Sequence, residues 1–119
     1  MKDKNISILK HIVKYCVEIN ETLNNYNVNK DEFMNNHIFK KAVSMGILQI
    51  GELSNNLTEE YRESTINEMN WRVIRGMRNH FAHGYGSMDI ELIFDTAIKD
   101  IPVLKEFCVK EIERLSSSD

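Results

Sequence analysis

The stretch from Trp71 to Met88 gathers Arg72, Arg75 and Arg78 with His80 and His83 and contains no acid; Glu68 and Asp89 bracket it. Guanidinium groups hold phosphates and carboxylates through paired hydrogen bonds. An imidazole, with an ordinary pKa near ~6.5, gives or takes a proton at neutral pH. This is a concentrated cationic element in a chain whose net charge is −3. At about 100° per residue along a helix, Trp71, Ile74, Met77 and Phe81 share one arc. Arg78 falls inside that arc, while Arg72 and Arg75 point progressively further out. A guanidinium on an apolar face keeps its charge and needs a partner or a wet cleft. One reading is a snorkelling side chain or a buried ion pair, with Glu52 as the candidate acid; the other is a functional cation. His83 follows five residues later, roughly 140° around a continuous helix. The two side chains converge only if the helix ends between them or if a second copy of the chain supplies one. Gly84 is well placed to end the helix, and a two-fold dimer is the other route. A histidine near a helix end can equally be a capping cation. His80 reads as surface, and His11 and His37 have no chemical company.

The elements that must position these residues are helical. One proline and five glycines are few breakers for 119 residues, which favours long helices over a turn-rich β architecture. Leu9, Ile12, Val13, Cys16, Ile19 and Leu23 recur at helical spacing. The Asn-rich stretch 24–29 breaks that stripe, since asparagine competes for backbone hydrogen bonds. A second helix starts at about Asp31 or Asn36 and runs to Leu57, lined by Phe39, Val43, Gly46, Ile50 and Leu53, with Ala42 and Gly46 small enough for close helix approach. A short helix spans about Thr58 to Thr65, with Glu59 and Glu60 in its first turn, where the helix dipole favours acids. Asn70 is the expected N-cap of a third main helix from Trp71 to about Ala82. The last helix opens near Asp89 and runs to about Leu115 on the stripe Ile90, Ile93, Ala97, Ile101, Leu104 and Cys108, kinked at Pro102. The expected fold is all-α: an up-and-down bundle of about four long helices plus a short one, in one domain over 1–119, with a frayed tail at 116–119.

Composition excludes several classes. The hydrophobic fraction of 42% and charged fraction of 28% are those of a soluble globular protein rather than a disordered one. No apolar run approaches the roughly 20 residues of a membrane span, and the N-terminus does not read as a signal peptide, so the chain is expected in the cytoplasm. The acidic balance excludes coating nucleic acid through bulk positive charge; any such contact must come from a local patch. Cys16 and Cys108 sit in apolar patterns and read as reduced core residues. The methionines read as core fillers. The four histidines and two cysteines give no metal-ligand spacing, and there is no phosphate-cradling Gly-rich loop and no GxSxG. No metal or cofactor is expected.

The string Arg78-Asn79-His80-Phe81-Ala82-His83-Gly84-Tyr85 follows an Arg, four residues, His, any residue, Tyr order. It resembles the motif of the HepT-like branch of the HEPN superfamily, ribonuclease toxins paired with nucleotidyltransferase antitoxins of the MntA type. Gln49-Ile50-Gly51-Glu52-Leu53 resembles that family's Gly-Glu-Ala element, Trp71-Arg72-Val73-Ile74 its Trp-Arg stretch, and Asp100-Ile101-Pro102-Val103-Leu104 its kinked last helix. Leu53 departs from the family, which more often has a small residue there, as does Ala82, where many members carry a larger one; both affect packing more than chemistry. The resemblance covers about Ile6 to Ile112. It implies a metal-independent endoribonuclease built as a homodimer, with the motifs of both protomers facing one cleft. Arg78 and His83 are then the expected catalytic pair, Asn79 an orienting residue, and Arg72 and Arg75 contacts that steer RNA. Tyr85 is either an active-site hydroxyl or stacking surface, or the tyrosine to which the partner nucleotidyltransferase attaches AMP. A non-catalytic HEPN module that binds a nucleotidyltransferase or a nucleotide is the alternative.

Overall fold

The computed structural model describes residues 2–25, 28–78 and 90–117. Asn79, His80, Phe81, Ala82, His83, Gly84, Tyr85 and Asp89, which carried several of the expectations above, lie outside the described residues. Within them the chain forms α1 (Lys2–Asn25), α2 (Lys30–Asn35), α3 (His37–Asn56), α4 (Glu59–Ser64), α5 (Trp71–Gly76) and α6 (Ile90–Ser117). The fold is all-α, as the breaker count and apolar spacing required.

The long helices α1, α3 and α6 enclose the core. Leu9, Ile12 and Cys16 of α1, Val43, Ile47 and Ile50 of α3, and Ile93, Ile101, Leu104 and Cys108 of α6 are fully buried. Each aliphatic side chain so removed from water contributes roughly 1.5–3 kcal/mol. The inward face of α3 is rotated from the expected stripe: Ile47, Ser44 and Gly51 join it, while Phe39 and Leu53 are only partly buried. Gly46 does permit close approach: a β-carbon there would lie 3.0 Å from two carbons of Ile19. Ala42 is exposed and plays no such part. Met69 and Met77 fill the core, but Met34 and Met45 are exposed.

Both candidate starts of the second helix are real. Asn29 caps α2 by accepting from the Glu32 amide. The Asn36 carboxamide accepts from the Ile38 and Phe39 amides, so one run becomes two helices. Thr58 and Asn70 cap α4 and α5 in the same way. The last helix is continuous through Pro102, which faces solvent. The Ile98 carbonyl that loses its helical donor belongs to an exposed residue, where water can satisfy it. α6 also extends past Leu115 to Ser117, whose hydroxyl donates back to the Glu113 and Arg114 carbonyls.

Cys16 and Cys108 are free and buried between α1 and α6. Burial pushes the Cys16 thiol up to about 12, against the opposing pull of Lys105. Burial, then Cys16 and Glu111, raise Cys108 as well. Both thiols therefore stay protonated core groups. Among the described residues no helix is long and apolar enough to cross a membrane.

Candidate functional site

The site is built on α5, a helix of six residues that tightens into a 3₁₀ turn at Met77 and Arg78. So short a helix is marginal alone, and its inner face supplies the fixation. Trp71 is 1% exposed. Its indole Nε1 donates to Thr65 Oγ1 at 2.8 Å, and its ring meets Phe107 edge-on at 5.7 Å and Tyr61 at 6.3 Å. Thr65 donates onward to the Tyr61 carbonyl. The Tyr61 hydroxyl donates to Glu111 at 2.7 Å, and Glu111 also accepts from Arg114. Burial, then the bond to Glu111, raise the Tyr61 phenol. The hydrogen bond from Arg114 holds the Glu111 carboxyl below its usual range, with burial opposing. Trp71, Ile74 and Met77 thus face inward as the arc required.

The outer face of the same helix is cationic. Arg72 is exposed, and Arg75 and Arg78 are half-buried. Arg78 Nη1 donates to Glu52 Oε1 at 3.5 Å, with side chains 40% and 51% exposed. Glu52 is therefore the partner, but the pair is not buried. In this setting it is worth at most ~1 kcal/mol, so another anion can replace the carboxylate. Arg75 Nε donates to Asn55 Oδ1 at 3.1 Å. Gly51 sets the separation of the two helices here. A β-carbon on it would stand 3.2 Å from the Arg78 backbone nitrogen and 3.4 Å from the Arg78 β-carbon. The Gly-Glu element has a physical account in this packing: the glycine lets the chain approach and the glutamate meets the arginine.

Beyond Asn55, the Arg62 guanidinium donates to the carbonyls of Ser54, Asn55 and Leu57 and so ties α4 to the end of α3. Burial, then the neighbouring Arg75, hold its guanidinium somewhat below the usual arginine pKa, and it stays charged. Two open cavities result. One of about 250 Å³ is lined by Asn55, Arg72, Arg75, Gly76 and Arg78. The next, about 440 Å³, shares Arg72 and Arg75 and is bounded by Arg62, Glu59 and Glu63.

The structure thus brings Arg72, Arg75 and Arg78 to one cavity. Asn79, His83 and Tyr85 lie outside the described residues. Asn55 and Arg62 were not singled out by the sequence. The one available signal was spacing, since Glu52 and Asn55 repeat the three-residue interval of Arg75 and Arg78.

Comparison with known families decides the class. The "Ribonuclease HepT-like" family matches residues 12–111. The chain belongs to the HepT-like ribonuclease family. Its class is therefore that of an endoribonuclease in the HEPN superfamily. It is 31% identical over 104 residues to a protein of Caldanaerobacter subterraneus subsp. tengcongensis named "Putative RNase", covering 87% of this chain and 89% of that protein. It is 31% identical over 112 residues to a Methanocaldococcus jannaschii protein named "Gamma-glutamylcyclotransferase and putative RNase", covering 92% of this chain but 50% of that longer one. A Thermococcus cleftensis protein named "Probable ribonuclease HepT" is 33% identical over 64 residues, 54% of this chain and 57% of that protein. No solved structure matches this HepT-like chain.

Proposed function

We propose that this HepT-like protein is a metal-independent endoribonuclease toxin, a single cytoplasmic domain that cuts RNA with Arg78 and His83 at a cleft shared by two protomers. The observation that carries the reading is Arg78 itself, a guanidinium fixed by a well-anchored helix yet half-exposed and only loosely paired with Glu52.

In the proposed reaction the RNA 2′-oxygen attacks the adjacent phosphorus and the 5′-oxygen leaves, giving a 2′,3′-cyclic phosphate. A base takes the 2′-hydroxyl proton and an acid returns one to the departing 5′-oxygen. The His83 imidazoles of two protomers divide these roles. Arg78 exchanges Glu52 for the phosphate and, through parallel N–H donors, stabilises the charge that builds on its non-bridging oxygens. Asn79 orients a phosphate oxygen or the arginine, and Arg72 and Arg75 draw RNA towards the cleft. A partner nucleotidyltransferase antitoxin silences the site by attaching AMP to Tyr85, because a tethered phosphodiester beside Arg78 occupies the place of the substrate phosphate.

The deciding experiment is cleavage of RNA by the purified protein in a metal chelator. Wild type should cut, and Arg78→Ala or His83→Ala should lose a factor of about 10²–10³ or more. Variants that cut like wild type would overturn the site assignment. A wild type that binds the nucleotidyltransferase and never cuts would leave the non-catalytic module. In the same preparation, a monomer at micromolar concentration would remove the shared cleft, and AMP mass absent from Tyr85 after incubation with nucleotidyltransferase and ATP would remove that mode of silencing.

A further inference from the structure

We infer that Arg75, aimed by Asn55 and flanked by Arg72, is a second phosphate subsite that takes the RNA phosphate next to the one being cut. The inference rests on the ribonuclease reading and adds to it a positioning residue, Asn55, that the motif does not contain.

Two polar pairs cross between α3 and α5: Glu52 with Arg78, and Asn55 with Arg75. Moving three residues forward on α3 and three back on α5 leads from one pair to the other, so they are neighbouring rungs of an antiparallel helix pair. The rungs share the same three-residue spacing and differ in charge: the first sums to zero, the second to +1. Glu52 compensates the charge of Arg78. Asn55 accepts a hydrogen bond from Arg75 Nε but carries no charge, so Arg75 is oriented without being neutralised. Its two terminal nitrogens have no partner among the described residues, and Arg75 lines the cavity of about 250 Å³ together with Arg72 and Arg78. Gly76 leaves that cavity open, because even a β-carbon on it would meet nothing within 4 Å.

Surrounding groups reinforce the bias. Arg62 adds positive field, and its Nη1 is committed to three backbone carbonyls. Glu59 and Glu63 line only the adjoining cavity, so the smaller one, with Arg72, Arg75 and Arg78 and no acid among the described residues of its lining, is where positive charge concentrates. Three residues of helix advance about 4.5 Å and bring both guanidiniums to one cavity, so the two rungs offer two neighbouring anion positions to a strand that carries one phosphate per nucleotide.

Asn55→Asp separates this role from a structural one. It turns the uncompensated cationic rung into an ion pair, which holds the helices at least as well, and it cancels the charge offered to RNA. With a labelled single-stranded RNA, Asn55→Asp and Arg75→Gln should each weaken binding about tenfold, equivalent to ~1.4 kcal/mol. Each should also flatten the dependence of log affinity on log salt by about 0.7, the loss of one phosphate contact. Cleavage at saturating RNA should fall far less than affinity. Wild-type affinity and salt slope in both variants would overturn the subsite; if wild type still cuts and Arg78→Ala does not, the ribonuclease reading survives that result. A wild type that neither cuts nor binds the RNA would overturn both.

Discussion

The two faces of α5 and of the 3₁₀ turn that follows it, residues 71–78, solve opposite problems. On the inner face every strong donor has a fixed acceptor: the Trp71 indole reaches Thr65, and Tyr61 reaches Glu111. On the outer face the pairings are partial. Arg78 holds a half-exposed carboxylate at the limit of hydrogen-bond distance, Arg75 holds a neutral amide, and Arg72 stands in solvent. Close packing fixes position and partial pairing leaves capacity for a ligand. A helix this short can offer three guanidiniums at defined places only because its other side is held by α4 and α6.

The strongest way to break that contrast is to empty the inner face. Trp71→Ala removes a fully buried indole together with its contacts to Tyr61 and Phe107 and leaves the Thr65 hydroxyl without its donor. A loss of about 3–5 kcal/mol in unfolding free energy is expected, read from urea denaturation. The arginines are chemically untouched, so RNA cleavage should fall with the folded fraction or with the fixation of α5. A loss below about 1 kcal/mol would mean that α5 is held by something other than its tryptophan.

How far each face was legible follows from the physics that builds it. The inner face came from apolar spacing, a local property that sequence reports directly: Trp71, Ile74 and Met77 are buried where the arc placed them. The same reasoning made Arg78 anomalous and named Glu52 as its partner, because a charge on an apolar arc demands an explanation. Asn55 and Arg62 raised no such anomaly. Each is a polar residue on a polar stretch, and its meaning comes from a hydrogen bond to a distant element: Arg75 for the first, the carbonyls that end α3 for the second. The break at Asn36 was half legible for a related reason, since an asparagine carboxamide suits both a loop and a cap and only the chain path decides between them. His83 and Tyr85 rest on the motif and on no described contact.

A smaller perturbation tests the seam where the two faces meet α3. Gly51 and Gly76 lie near the same arginines, and their surroundings differ. A methyl group at Gly51 presses on the Arg78 backbone nitrogen at 3.2 Å, whereas one at Gly76 meets nothing within 4 Å. Gly51→Ala should therefore cost about 1–3 kcal/mol and reduce cleavage further by shifting Arg78 against its target. Gly76→Ala should be neutral or gain up to ~1 kcal/mol from helix propensity. Equal effects on thermal stability would show that the close approach at Gly51 does not set the position of Arg78.

The smallest expected effect concerns the outermost link of the inner face. Glu111 carries the Tyr61 hydroxyl and the Arg114 guanidinium, and its carboxyl is held below its usual range, chiefly by Arg114. A depressed folded-state pKa adds stability above the unfolded-state value, near ~4.3 for a glutamate, and that stability disappears as pH falls through the folded value. Arg114 is largely exposed, so the contribution should be only about 0.5–1 kcal/mol. Glu111→Gln should lower stability by that amount at pH 7 and make no difference once the pH is below the folded value, as read from denaturation midpoints across the acid range. A gap between wild type and Glu111→Gln that stays constant into acid would assign the loss to packing against Tyr61 instead of charge. The inner face would then owe its hold on α5 to packing and to the neutral Trp71–Thr65 hydrogen bond, and ionic charge would act only on the arginine side.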